Sequence, residues 1–167
     1  ARRELAQLFH SPLAYVFLLL MVFAAQFFHA TTVFAMGQAD MRVFFDTLPW
    51  VIAVFSALIT MRSWAEERQD NTYEMLLTFP MRVRELVLGK WLAAFAFMAV
   101  ALAGTFMVAI SVFSLGHPDP GPVWAGYSGA LLFAAMTTAA GVFFSSITRS
   151  QLLAALLSIV VGVLTLL

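Results

Sequence analysis

The chain has 167 residues, 62% of them hydrophobic and 11% charged, whereas a soluble domain holds about 45–50% apolar and about 25% charged residues. Nine basic and nine acidic side chains cancel, which leaves no cationic excess for a nucleic acid. These numbers exclude a water-soluble monomer and a nucleic-acid-binding protein, and with no cysteine there is no disulfide framework or thiolate metal site.

The charges divide the chain into apolar runs. Leu5 to Ala39 holds 35 residues without Asp, Glu, Lys or Arg, and Thr47 to Met61 holds 15. Trp91 to Pro118, Pro120 to Thr148 and Ser150 to Leu167 hold 28, 29 and 18. A hydrocarbon core about 30 Å thick needs about 20 helical residues. All the runs but the second are long enough or nearly so, and the second gains length from Leu48-Pro49 at one end and Arg62, Ser63 and Trp64 at the other, with Arg62 snorkelling to the interface.

In chain order, Arg2 to Phe9 alternates polar and apolar residues at helical spacing, predicting a short helix over about 2–11 that lies flat on the membrane. Ser11-Pro12 then supplies an N-cap and a first-turn proline, opening a span over about 13–35. Its apolar stretch is too long for a signal peptide. Further spans follow at about 47–64, 90–115, 123–147 and 150–167. The Pro/Gly-rich stretch Gly116 to Pro122 is a turn between the third and fourth. With the N-terminus cytoplasmic, Arg2, Arg3, Arg62, Arg68, Arg82, Arg84, Lys90 and Arg149 fall inside and only Arg42 falls outside, as the positive-inside rule requires. The fold class is therefore all-α: a single polytopic domain over 1–167 with five spans. A C-terminus ending in an apolar run leads us to expect a longer chain with at least one further span.

The soluble feature is Arg62 to Lys90, which carries ten of the eighteen charges in 29 residues. Burying them all would cost on the order of 25–35 kcal/mol on the insertion scale, so a cytoplasmic segment is expected over about 65–89. Within it, Asp70-Asn71-Thr72 offers capping oxygens, Glu74 completes a capping box with Asn71, and Pro80 ends the run at Phe79. The product is a helix of about two turns, too short to stand alone in water. It nevertheless carries Tyr73, Met75, Leu76, Leu77 and Phe79, which need a cover: headgroups or a protein. A second helix restarts near Arg82 to Glu85 and runs into the third span.

No catalytic constellation is complete. Gly89-Lys90 has the ending of a phosphate loop, but Arg84 and Trp91 stand where glycine and a hydroxyl residue are needed. No protease dyad or zinc helix is present, and His10, His29 and His117 are too scattered for a metal. With no ionisable residue deep in a span, an ion or proton pathway is disfavoured. Gly104, Gly126, Gly129, Gly141 and Gly162 offer close helix packing. Thr137, Thr138, Ser145 and Ser146 either line a path or bond their own helix carbonyls.

The order Met61-Arg62-x-x-Ala65-Glu66-Glu67-Arg68-x-x-Asn71-Thr72-x-Glu74-x-Leu76-Leu77-Thr78-x-Pro80, then Glu85-x-Val87-Leu88-Gly89-Lys90, resembles the permease subunit of type 2 ATP-binding-cassette exporters, and most closely the gliding-motility-type branch. Arg3-Glu4-Leu5, Ser11-Pro12-Leu13-Ala14-Tyr15, Pro118-Asp119-Pro120-Gly121-Pro122 and Ala125-Gly126-Tyr127 are similar to the same branch, so the likeness extends over nearly the whole chain. It implies six spans, one of them missing here; pairing with a second permease copy or paralogue; and residence in a prokaryotic plasma membrane, the inner one in a Gram-negative cell. It also implies a separate cytoplasmic ATP-binding subunit that holds ATP and magnesium, leaving this chain without cofactor or catalysis. By position, Asn71, Thr72, Tyr73, Glu74, Met75, Leu76, Leu77, Thr78, Phe79 and Pro80 would dock on that subunit, supported by Glu66, Glu67 and Arg68. Asn71 departs from the usual glycine, a mild change because Asn tolerates left-handed backbone; Arg82 replaces a frequent small hydroxyl cap. The alternative from another class is a scaffold whose loop recruits a cytoplasmic partner without ATP-driven motion.

Overall fold

The computed structural model describes residues 12–36, 41–61, 83–115, 120–148 and 150–167. Every element among them is helical: α1 (Pro12–Met36), α2 (Met41–Thr60), α3 (Val83–Gly104), α4 (Phe106–Leu115), α5 (Pro120–Ile147) and α6 (Gln151–Leu164). Proline opens α1 and α5, where its missing N–H costs nothing and its fixed φ suits the first turn. The surface helix expected over about 2–11 and residues 65–82 of the segment expected to be cytoplasmic over about 65–89 lie outside the described residues, and residues 83–89 of that segment belong to α3.

Length and composition qualify four stretches as membrane spans: Ala14–Thr31, Met41–Thr60, Arg84–Ser114 and Pro120–Ile147. Helix α6 has 14 residues, about 21 Å, less than the core thickness. The outer surfaces of the helices are greasy: Leu19, Leu132 and Leu152 are 67%, 74% and 69% exposed. Such surfaces belong in acyl chains, since a water-soluble monomer does not tolerate large apolar patches.

Two elements differ from the expected boundaries. Helix α2 begins at Met41 rather than about 47, taking Arg42 and Asp46 into the helix that also contains Pro49. Met41, Phe44, Leu48, Val51 and Ile52 are all buried, and the first four follow the i, i+3, i+7 and i+10 spacing of one helix face. Burial of that face overrides the local cost of proline, which membrane helices accept when neighbours re-satisfy the backbone. The helix expected to restart near Arg82 to Glu85 begins at Val83 and runs into the third span, which is broken at Thr105 into α3 and α4. Lys90 stands at the eighth position of α3, among the buried residues at 5% exposure, within the span candidate Arg84–Ser114 rather than at its edge.

Helices α2 and α5 form the centre, and each also packs on α6; α3 packs on α5, and α1 on α2. Paired contacts fix the register. Phe45 meets Tyr127 near the start of α2 and α5, and Met61 meets Ser145 near their ends, so these helices run parallel. Close approach requires small residues at defined points. A Cβ at Gly141 would collide with the Thr60 hydroxyl, and one at Gly126 would stand 2.6 Å from the Phe45 ring. Gly129 differs, with nothing within 4 Å.

Candidate coupling site

The docking element expected over Asn71 to Pro80, together with Glu66, Glu67 and Arg68, lies outside the described residues. What the structure supplies is the frame from which that segment leaves and to which it returns. The chain leaves at Met61 and re-enters at Val83.

At the exit, Met61 N–H donates to the Ala57 carbonyl at 2.9 Å, continuing α2. The last carbonyls of a helix need donors from outside it. The Met61 carbonyl accepts from Ser145 Oγ on α5 at 3.2 Å. One residue back, Thr60 is fully buried and donates to the Ser56 carbonyl of its own helix at 2.7 Å. Its side chain fills the notch left by Gly141. The end of α2 is thus fixed to α5 by one hydrogen bond and one close backbone approach.

At the re-entry, Glu85 sits in the first turn of α3, where a carboxylate complements the positive end of the helix dipole. Further along α3, Trp91 Nε1 donates to the Ala135 carbonyl of α5 at 3.1 Å, and the Trp91 indole stacks on Phe95 at 5.9 Å. Beside it lies buried Lys90, a residue that is not without an interaction partner. A buried ammonium persists only where paired or hydrogen-bonded. The chain is therefore tied to the same helix at Met61, just before the segment, and again at Trp91, eight residues after the re-entry at Val83, through Ser145 and Ala135, which lie about 15 Å apart along its axis.

The hydroxyl residues of α5 divide by partner. Thr137 donates to the Phe133 carbonyl at 3.0 Å, Thr138 to Ala134 at 2.7 Å and Ser146 to Phe143 at 2.6 Å. These three satisfy themselves on their own helix. Ser145 alone of the four reaches another helix. Sequence spacing carries no signal for that distinction, because the partner stands 84 positions away. For Lys90 a signal exists: it follows the apolar run from Leu86 to Gly89, so its charge marks an interior group rather than a boundary.

A second constellation occupies the opposite end of the bundle. Tyr127 is 3% exposed and its hydroxyl donates to the Thr105 carbonyl at 3.0 Å. The Tyr127 ring stacks on Phe106 at 4.3 Å and meets Phe45 edge-on at 5.2 Å. His29, on α1, rests edge-on against Phe44 at 5.7 Å. This is a packed aromatic joint, with ring geometries that favour fixed orientation.

The model of one protein family, described as ABC-2 family transporter protein, matches residues 13–167. No curated protein and no solved structure matches the chain significantly. The matched region takes in nearly all of the described helices, including both frames of the 62–82 segment and all the span candidates. The chain is a multi-pass membrane protein and belongs to the ABC-2 transporter family, the permease components of ABC transport systems.

Proposed function

We propose that the chain is the membrane subunit of an ATP-driven exporter of the gliding-motility type, with its N-terminus cytoplasmic and a second permease copy or paralogue beside it. A separate cytoplasmic ATP-binding subunit binds ATP and magnesium and grips the segment between the second and third spans. Asn71 to Pro80 forms the docking helix, and Glu66, Glu67 and Arg68 brace it at the membrane side.

The observation that carries this reading is the double attachment to α5. Hydrolysis in one protein moves another only through a stiff joint, and the segment bearing Tyr73, Met75, Leu76, Leu77 and Phe79 is bracketed by Met61 on Ser145 and Trp91 on Ala135. A push on the segment reaches one long helix at two points. The residue types also suit a protein partner, because interface cores favour aromatic residues and Met over charge.

The test is ATP turnover of the co-purified complex in lipid nanodiscs with Leu76→Asp or Leu77→Asp. Loss of the permease-dependent part of turnover is expected, since a carboxylate in a desolvated docking surface costs several kcal/mol. Unchanged turnover in an intact complex would favour the scaffold reading instead.

A further inference from the structure

We propose that Gly104-Thr105 is a hinge, latched by the Tyr127 hydroxyl, about which α4 swings at the end of the bundle remote from the coupling segment. The link to ATP-driven motion rests on the function proposed above; the hinge itself rests on the hydrogen bonding at Thr105.

The backbone at the break is rebuilt rather than abandoned. Thr105 N–H donates to the Leu102 carbonyl at 3.0 Å and Val108 N–H donates to the Thr105 carbonyl at 2.9 Å. Both bonds span three residues, the tighter pattern that marks local 3₁₀ turns and functional bends. Thr105 Oγ1 adds a second donor to the Leu102 carbonyl at 2.7 Å. Glycine followed by a hydroxyl residue is also where helices kink without proline. The Thr105 carbonyl is left with capacity for another donor, and Tyr127 Oη fills it from α5 at 3.0 Å.

Length makes the break useful. Helix α3 has 22 residues, about 33 Å, and matches a bilayer core by itself. Helix α4 adds 10 residues, about 15 Å. Helix α2 does not follow it that far: Phe45 is level with Tyr127, and only Met41 to Phe44 lie beyond. One face of α4 is packed, with Val108, Ala109 and Val112 buried in the core, and the other is not, with Met107, Ile110 and Phe113 68%, 66% and 41% exposed. The directional attachments lie at its base, where Phe106 stacks on Tyr127 and the Tyr127 hydroxyl holds the Thr105 carbonyl. Element-terminal residues that absorb a change in backbone angle are the usual hinge sites in domain and lid motions.

The chain contains no cysteine, so spin labels can be placed at will. The full chain, in nanodiscs with its ATP-binding subunit, carries Phe113→Cys on α4 and Leu132→Cys on α5; a second preparation carries Leu92→Cys on α3 with Leu132→Cys. Pulsed electron–electron distances are measured with and without Tyr127→Phe, a change that keeps the ring and its stack but removes the donor to the Thr105 carbonyl and the weaker acceptor for Thr105 Oγ1 at 3.4 Å. The α4–α5 distribution is expected to gain a longer component, its population rising roughly fivefold as one net hydrogen bond is lost, while the α3–α5 distribution stays put. An α4–α5 distribution unaffected by Tyr127→Phe overturns the hinge, as does an equal shift in the α3–α5 pair. Movement of the α4–α5 pair on adding ATP and vanadate to the unsubstituted protein supports coupling to the ATPase. A hinge that answers Tyr127→Phe but not nucleotide leaves the latch standing and counts against the proposed function.

Discussion

Ser145 on α5 donates its hydroxyl proton to the carbonyl of Met61 at 3.2 Å, across an interval of 84 residues and at the last turn of α2. A helix C-terminus ends with carbonyls that need outside donors, and within a membrane such groups are expensive to leave unserved. Ser145→Ala removes the donor while keeping the backbone and nearly the volume. We expect a loss of about 1 kcal/mol, read as a fall of about 2–4 °C in the thermal unfolding midpoint of the chain in nanodiscs. An unchanged midpoint would mean that the contact contributes nothing to the joint between α2 and α5.

Gly141 and Gly129 lie on the same helix and are expected to respond oppositely to alanine. At Gly141 the added methyl meets the buried Thr60 side chain, so α2 and α5 must part, and overpacking of this kind costs about 1–3 kcal/mol. At Gly129 nothing stands within 4 Å, and alanine gains roughly 0.5–1 kcal/mol through helix propensity. Thermal midpoints should therefore fall for Gly141→Ala and hold or rise for Gly129→Ala. Equal effects at both sites would show that the close approach of Thr60 is unimportant.

Lys90 is 5% exposed, inside a helix that is otherwise apolar from Leu86 onward. Reversing its charge with Lys90→Glu turns whatever attraction it makes into repulsion in a medium of low dielectric. Several kcal/mol is the scale for disrupting a buried, paired charge. Monodisperse protein recovered by size-exclusion chromatography is expected to drop steeply for Lys90→Glu and to be largely retained for Lys90→Arg, which keeps the charge. Full recovery of Lys90→Glu would place the ammonium in water rather than in the bundle.

Much of the architecture is legible in the sequence because lipid imposes simple demands. Charge-free runs of membrane length mark the spans, and Ser11-Pro12 marks the start of α1; Pro120 to Pro122, read as part of a turn, instead form the first residues of α5. Charge is a poorer marker of where a helix begins. Arg42 and Asp46 sit on the exposed side of a helix whose other face, Met41, Phe44 and Leu48, is buried, and the spacing of those three is the better guide. The break at Thr105 has only a faint local signal, Gly104 beside a hydroxyl residue, because its partner Tyr127 comes from another helix. The docking role of Asn71 to Pro80 rests on capping pattern, misplaced greasiness and family likeness. The structure contributes the anchors on either side.

Those anchors permit a test that separates mechanical coupling from simple stability. Trp91→Phe keeps an aromatic ring to face Phe95 but removes the donor to Ala135, a bond of 3.1 Å. Ser145→Ala removes the donor to Met61. The two sites are about 15 Å apart along α5 and share no partner, so their stability costs should add within about 0.5 kcal/mol. Their effects on permease-dependent ATP turnover should not add, because both bonds brace one segment. Once either end is slack, a push on Leu76 and Leu77 moves the segment instead of α5, and loosening the second end changes little more. A double-mutant cycle that is additive in unfolding midpoint but strongly sub-additive in turnover is the expected outcome. Additivity in both measurements would mean that the two attachments act independently and that the segment does not work as a single strut.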